Sequence, residues 1–301
     1  MFKKGGPGNV WFLDDGSPNI AYAYRVKEVL HVQQTRFQEV EFLDTYPFGK
    51  VLVINDRIQS AESDERVYHE LLVMPALVLH PDPRTALVVG GGEGATLREI
   101  LKRPSIEKVH MVDIDAELVE LCKKYLPEWH QGSFEDPRVE VFYEDAFRFL
   151  RESDKRAGEG IKYDLIFIDL TEPGEADVSQ ELYSNEWYSL VKSRLNEGGI
   201  MVVQAGCADY SDPDLHRHIY ETLGDLFKIV RPYRYFIPSF MAVWGFMFAS
   251  DAVEPDLSES ELESRFSSSG IKPGSLDFYS PRMHRVIFTD SPWHRRVFEG
   301  G

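Results

Sequence analysis

The stretch TALVVGGGEGATLREIL, residues 85–101, decides how the rest of the chain is read. A continuous apolar run feeds Gly90, Gly91, Gly92 and Gly94, and a helix-like pattern follows. Glycines at that junction permit a tight turn and let a ligand approach the backbone at a helix start, as in many nucleoside sites. An acid, Glu93, stands among them. A pyrophosphate there would face a buried like charge, which is costly. The loop therefore favours a positive ligand without phosphate, and S-adenosylmethionine and its relatives, with a sulfonium and an ammonium, meet that description.

Outward from this stretch the chain alternates. KVHMVDID (108–115), VEVFYED (139–145), YDLIFIDL (163–170) and GGIMVVQAG (198–206) read as strands. Helix-like segments lie between them: GATLREILKR, AELVELCKKYLPEW, AFRFLRESDKR and SNEWYSLVKSRL. Such alternation predicts an α/β fold with a parallel sheet covered by helices on both sides, and runs such as LIFI and IMVV suit strands buried on both faces. FKIVRPYRYFIPS (227–239) and WGFMFASD (244–251) are expected to close the sheet.

Upstream, short runs between residues 20 and 60, broken at YPFGK and NDR, predict a small antiparallel β unit. SDERVYHELLVMPALVLH (63–80) then predicts a connecting helix with Ser63 as candidate N-cap. The expected division is an N-terminal β domain with its connecting helix, 1–75, and a catalytic α/β domain, 76–301. Its extension from about 253 is Ser/Glu-rich and weakly patterned.

The 301 residues are 43% hydrophobic and 28% charged, as in an ordinary soluble globule. No apolar stretch approaches the about 20 residues of a membrane helix, and the N-terminus has no apolar signal core. A cytoplasmic protein without membrane partner is expected. Cys122 and Cys207 imply neither a disulfide framework nor a cysteine metal site, and the nine histidines show no metal-ligand spacing. The formal charge of −17 argues against nucleic acid. It suits cationic substrates, although solubility alone would also explain it.

Ligands of open parallel sheets sit at the carboxyl ends of the strands, near the switch point. Those ends are acidic here: Glu93, Asp113 with Asp115, Glu144 with Asp145, and Asp169 with Glu172. Asp113 falls about twenty residues after Gly90, where an acid accepts hydrogen bonds from ribose hydroxyls. A glycine turn beside a surface aspartate is the bland alternative. Asp145 is a candidate for an adenine amino group, or simply the N-cap of the next helix. Asp169 ends the most hydrophobic strand, and TEPGEADVSQELY after it, with Pro173 and Gly174, is loop-like. That suggests a catalytic carboxylate under a lid, with N-capping as the alternative.

Six segments together, VLVINDRIQSAESDERVYHE, VVGGGEGATLRE, VDID, YEDA, IDLTEP and GGIMVVQAG, resemble the aminopropyltransferases, the spermidine and spermine synthase family. The resemblance runs from about residue 20 to 250. GGGEGAT, LPEWHQG and IDLT are most similar to the branch from thermophiles that makes longer polyamines or aminopropylates agmatine, and plant thermospermine synthases look similar too. The resemblance implies a small N-terminal antiparallel β domain before a Rossmann-like, methyltransferase-type doubly wound sheet. It implies decarboxylated S-adenosylmethionine as co-substrate, no bound cofactor or metal, and a homodimer or homotetramer. A donor without an α-carboxylate would bring Glu93 a cation and no opposing anion, whereas S-adenosylmethionine itself would be disfavoured.

Position by position, the resemblance implies a donor site of Gln38, Gln59, Gly90, Gly92, Glu93, Asp113, Ile114, Asp145 and Ala146. Asp169 would be the catalytic base with Tyr68 beside the reacting amine. His69, Glu172, Tyr235, Phe240 and Trp244 would meet the acceptor. The family's usual Asp-Ser-Ser-Asp-Pro reads Asp169-Leu170-Thr171-Glu172-Pro173 here, and a usual tyrosine is Phe240. Trp244 falls where many members have a smaller aliphatic residue. The changes at Phe240 and Trp244 lie where the acceptor should bind and favour spermidine or agmatine over putrescine, or are packing substitutions. A methyltransferase using S-adenosylmethionine and a non-catalytic polyamine-binding protein remain the rival readings.

Overall fold

The computed structural model of the chain describes residues 2–5, 9–14, 20–157, 161–172, 178–209, 212–272 and 274–299. Six strands come first: β1 (Phe2–Gly5), β2 (Asn9–Asp14), β3 (Tyr22–Gln34), β4 (Glu39–Thr45), β5 (Gly49–Ile54) and β6 (Arg57–Ala61). They form one antiparallel sheet in sequence order. The expected β unit is there, and β1 and β2 extend it upstream of residue 20. Asn55 and Asp56, with φ of 49° and 62°, form the two-residue turn between β5 and β6. Asn and Asp are among the residues that tolerate this left-handed backbone.

α1 (Glu65–Leu79) follows, and its N-cap is Asp64 rather than Ser63. The Asp64 carboxylate does not cap the helix; it accepts from Ser239 N at 2.7 Å and Ser239 Oγ at 2.8 Å. The helix is buried along nearly all its length against the second sheet.

That sheet is built from β7 (Thr85–Gly90), β8 (Lys108–Asp113), β9 (Val139–Tyr143), β10 (Tyr163–Asp169), β11 (Leu195–Cys207), β12 (Ile229–Ile237) and β13 (Ala242–Ser250). The order is β12-β13-β11-β10-β7-β8-β9. β7 to β11 are parallel, and β12 and β13 close the sheet as an antiparallel hairpin. The sheet is thus mixed, doubly wound about a parallel core. Alternate residues feed opposite layers, as the strand period requires. Val88, Leu165, Phe167 and Val202 join α1, whereas Val89, Ile166, Ile168 and Val203 face the other side.

The crossover helices are α2 (Ala95–Ile100), α3 (Ala116–Tyr125), α4 (Pro127–His130), α5 (Ala146–Ala157), α6 (Asn185–Ser193) and α7 (Asp214–Gly224). Two differ from expectation. α2 stops at Ile100, and the single helix expected over 116–129 divides into α3 and α4 because Leu126, preceding Pro127, leaves the helical region. The weakly patterned tail folds into α8 (Glu259–Ser268), α9 (Pro281–Ile287) and α10 (Pro292–Glu299). The Glu70 carboxylate of α1 ties the tail down by accepting from the N–H groups of Asp277, Phe278 and Tyr279 at 2.7–2.9 Å.

The two sheets are joined by a shared apolar cluster in which Val40, Phe42, Leu52 and Ile54 meet Leu118, Leu121 and Trp129. Trp129 Nε1 donates to Ser60 Oγ at 2.8 Å across the seam. Among the described residues, no helix is long and apolar enough to cross a membrane.

Candidate active site

The strand order reverses between β7 and β10, and there the sheet opens into a cleft of about 570 Å³. Asp169 and Gly90 are register partners at the ends of these two strands. Gly91 N donates to the Asp169 carbonyl at 3.0 Å. Gly90 has φ of +80°, and a Cβ there would collide with that carbonyl oxygen. Glycine is needed because the loop passes directly over the base of Asp169.

Two hydroxyls fix the Asp169 carboxylate. Tyr68 donates to Oδ1 at 2.8 Å and Thr96 to Oδ2 at 2.6 Å. Burial, then the neighbouring Asp169 charge, pushes the Tyr68 phenol well above its ordinary range. Tyr68 is therefore a neutral donor, and each Asp169 oxygen keeps acceptor capacity for a ligand.

Glu93 lines the cleft and is 9% exposed. Burial pushes its carboxyl up, and the adjacent His69 opposes that shift. His69 Nε2 lies 2.6 Å from Glu93 Oε1 as a charge contact, while Nδ1 lies 2.6 Å from the Glu65 carbonyl and 3.1 Å from Glu65 Oε2. Burial alone would lower the imidazole pKa, but Glu93 and Glu65 hold it up at about 10. Arg98 in turn grips Glu65 at 3.0 and 2.8 Å. Against the burial that would raise it, His69 and Arg98 bring the Glu65 carboxyl to about 2.

Asp113 ends β8 beside Gly92, where a Cβ would come within 2.9 Å of its Oδ2. Burial pushes the Asp113 carboxyl up to about 6, against the Asp115 N–H that it accepts at 2.8 Å. Asp115 anchors the neighbouring wall: it accepts from Thr35 Oγ1 at 2.6 Å and Gln38 Nε2 at 3.0 Å. Gln38 and Gln59 thus reach the cleft from the first sheet, facing Ile114, Asp145 and Ala146 from the second. Asp145 does cap the next helix, accepting from Arg148 N at 2.8 Å, and it lines the cleft as well.

Beyond Asp169 the wall is aromatic and acidic. Phe240 and Trp244 stand with ring centroids 4.7 Å apart. Glu172 is joined to Arg57 at 2.9 Å; burial pushes its carboxyl up and Arg57 opposes this. Among the described residues lining the cleft, Arg57 is the one basic side chain, against acids that also include Asp14, Asp209 and Asp212.

The cleft therefore gathers all but two of the site residues that the family resemblance implied. His69 does not line it: it is fully buried behind Glu93. Tyr235 does not line it either, packing instead on Phe278 at 4.7 Å between ring centroids. Pro173 and Gly174 of the expected lid lie outside the described residues. Residues the sequence reading missed are Thr96, Arg57 and Gln204, the last holding Trp244 Nε1 at 3.1 Å and the Leu170 carbonyl at 2.6 Å. Among the described residues, no group of three or more His, Cys, Asp or Glu could hold a metal.

Sheet order and strand-end acids place the chain among the doubly wound α/β proteins that take a ligand at the switch point. Comparison with known proteins is more specific. Residues 65–259 match the spermine/spermidine synthase domain and residues 10–62 the spermidine synthase tetramerisation domain. Polyamine aminopropyltransferase 1 of Hyperthermus butylicus is 44% identical over 273 residues, covering 90% of this chain and 91% of that protein. Polyamine aminopropyltransferase 2 of Pseudomonas aeruginosa is 44% identical over 246 residues, covering 82% and 69%. A spermidine synthase crystallised with the transition-state analogue AdoDATO shares the fold, with a TM-score of 0.86 at 24% identity over 99% of this chain and 98% of that one. The chain belongs to the spermine/spermidine synthase family and is an aminopropyl-transferring enzyme, a polyamine aminopropyltransferase by class.

Proposed function

We propose that the enzyme moves the aminopropyl group of decarboxylated S-adenosylmethionine to a polyamine, releasing methylthioadenosine, with spermidine or agmatine preferred to putrescine as acceptor. The observation that carries this reading is the Asp169 carboxylate, fixed by Tyr68 and Thr96 in a cleft whose donor side presents Glu93. The donor is consumed at each turnover and is a co-substrate rather than a resident cofactor.

In this reading Asp113 accepts the ribose hydroxyls, Gln38, Gln59 and Ile114 line the nucleoside, and Asp145 with Ala146 meets adenine. Glu93 takes the ammonium of the three-carbon arm. The acceptor's primary amine has a reference pKa of about 10 and arrives mostly protonated. Asp169 takes its proton while Tyr68 helps aim the nitrogen. The nitrogen lone pair forms the new N–C bond to the methylene beside sulfur, and the C–S electron pair returns to sulfur, leaving a neutral thioether. Holding the two reactants in line supplies much of the acceleration.

Phe240, Trp244 and the acids Glu172, Asp209 and Asp212 support an acceptor with several cationic nitrogens on an apolar stem. The match of residues 10–62 to a tetramerisation domain supports a homodimer or homotetramer. A charge of −17 speaks against a nucleic-acid partner, and two cysteines without a disulfide framework support a cytoplasmic enzyme.

The test is a product assay. Protein is incubated with decarboxylated S-adenosylmethionine and, separately, putrescine, agmatine, spermidine or cadaverine, with S-adenosylmethionine as control donor. Methylthioadenosine with one dominant product from spermidine or agmatine is expected. Putrescine as best acceptor would overturn the acceptor assignment, and methyl transfer from the control without product from the decarboxylated donor would overturn the reaction.

A further inference from the structure

We infer that Arg57 is a specificity-determining residue for the acceptor: its guanidinium occupies Glu172, so a short diamine finds that carboxylate already matched and a longer polyamine is favoured. The inference deepens the reading above and rests on its placing of the acceptor along the wall from Asp169 to Glu172.

Arg57 opens β6, directly after the turn at Asn55 and Asp56. Residues two apart on a strand share a face, about 7 Å from one another. Arg57 and Gln59 accordingly both line the cleft. Arg57 Nη1 donates to Glu172 Oε2 at 2.9 Å. The far side of that carboxylate is seated on β11. Gly206, with φ of +64°, leaves the room that Oε1 takes up, since a Cβ there would come within 2.5 Å of it. The Cys207 N–H is a further donor to the carboxylate. Glu172 is thus held from both sheets at once.

The link between Glu172 and Asp169 is fixed as well. Gln204 Nε2 donates to the Leu170 carbonyl at 2.6 Å and Tyr183 Oη to the Thr171 carbonyl at 3.1 Å. Three residues of chain span at most about 10 Å. A short diamine with its near nitrogen at Asp169 therefore brings its far ammonium to Glu172. A bare carboxylate would hold that ammonium. With Arg57 in place the pair is neutral as a whole, and an incoming cation gains little attraction and meets a like charge. Asp14 and Asp212, whose charges also act on Glu172, stand at the same end of the cleft. Spermidine brings a further cation on a longer stem to that acidity. Putrescine has no further cation and depends on Glu172.

The experiment measures kcat/KM for putrescine and for spermidine by methylthioadenosine release at saturating decarboxylated S-adenosylmethionine. The proteins are wild type, Arg57→Met, Arg57→Lys, Glu172→Gln and the double variant carrying R57M and E172Q. A mildly alkaline buffer keeps Glu172 ionised when its partner is gone. Arg57→Met should raise the putrescine-to-spermidine ratio by about tenfold, mostly through a lower putrescine KM. Arg57→Lys keeps the charge and should keep most of the wild-type discrimination. The double variant should lose the gain, because Arg57 acts through Glu172. Donor KM should move by less than about twofold in Arg57→Met, whereas a general loosening of β6 would disturb Gln59 and the donor with it. An unchanged ratio in Arg57→Met, an equal gain for both amines, an Arg57→Lys variant as permissive as Arg57→Met, or a gain that survives in the double variant would each overturn the inference. Should Arg57→Met fail to fold, Arg57→Gln puts the same question, and an unchanged ratio there overturns it as well. A wild type whose best acceptor is putrescine refutes the acceptor assignment above, while a ratio that rises further in Arg57→Met leaves the role of Arg57 standing. A wild type that prefers spermidine, with no shift in the variant, refutes the role and keeps the assignment.

Discussion

Tyr68 Oη donates to Asp169 Oδ1 at 2.8 Å, joining the first turn of α1 to the end of the strand that closes the switch point. With Thr96 on the other oxygen, the carboxylate is held at both of its oxygens. Asp169→Asn keeps the shape but removes the proposed proton acceptor, and should cut kcat by roughly 10² or more while donor affinity is retained. Tyr68→Phe removes one orienting hydroxyl and should cost less, about tenfold. Single-turnover rates with saturating substrates check both; a near-normal rate for Asp169→Asn removes it as the base.

The proposed ribose role of Asp113 would make donor binding sensitive to mild acid. Burial pushes its carboxyl up to about 6. Ribose hydroxyls would donate to the ionised form, so protonation would compete with binding. Donor KM should be flat above pH 7 and rise by up to about tenfold per unit as pH falls below 6. In Asp113→Asn that rise should vanish, with a uniformly high KM. A wild-type KM independent of pH between 5 and 7 would contradict the assignment.

Gly90→Ala combines two penalties, a left-handed backbone and a collision with the Asp169 carbonyl. Stability should fall by about 1–3 kcal/mol, with kcat falling as the Asp169 carboxylate is displaced from Tyr68 and Thr96. Chemical denaturation and turnover, measured together, should move in the same direction. An active variant of wild-type stability would mean that the loop tolerates a side chain there.

Stability should also fall in acid through histidines remote from the cleft. Burial lowers His110 and His284 to about 4 and His216 to about 3. The unfolded chain takes up these protons near pH 6.5 and the folded one only near 3 to 4, so stability is lost as pH falls through that window. Each group contributes a slope of about 1.4 kcal/mol per unit. His69 has the opposite sign: raised to about 10, its contribution is complete below about 6.5 and is lost as pH rises toward 10. Urea midpoints against pH should therefore peak near neutrality. A midpoint unchanged between pH 7 and 4.5 would show that the three histidines are solvated.

The parallel core and its acids were legible because both follow local rules. Apolar runs become buried strands, and residues just past such runs must gather at one sheet edge, as Glu93, Asp113, Asp145 and Asp169 do. What escaped depended on distant partners. Thr96 serves Asp169, Arg57 serves Glu172 and Gln204 serves Trp244, and no spacing connects these pairs. β1 was missed because four residues reading FKKG carry no alternation. His69 was misplaced for a geometric reason: successive helix residues point about 100° apart, so when Tyr68 faces the cleft its neighbour cannot. Tyr235 stands on β12 against the tail, a contact with Phe278 that lies far along the chain.

Tyr68, His69 and Glu70 are consecutive on α1, and each has a different destination: the Asp169 carboxylate, the Glu93 carboxylate, and the backbone of residues 277–279 in the tail. A rotation of the helix that improved one of these would spoil the other two. The helix is thus the part of the protein least open to retuning, whether by evolution or in the laboratory. Variants aimed at new amine acceptors should be sought on the β12–β13 hairpin, where Phe240 and Trp244 line the cleft from outside α1, and where the contacts to preserve are Phe240 edge-on to Tyr68 at 5.9 Å and Trp244 on Gln204 at 3.1 Å.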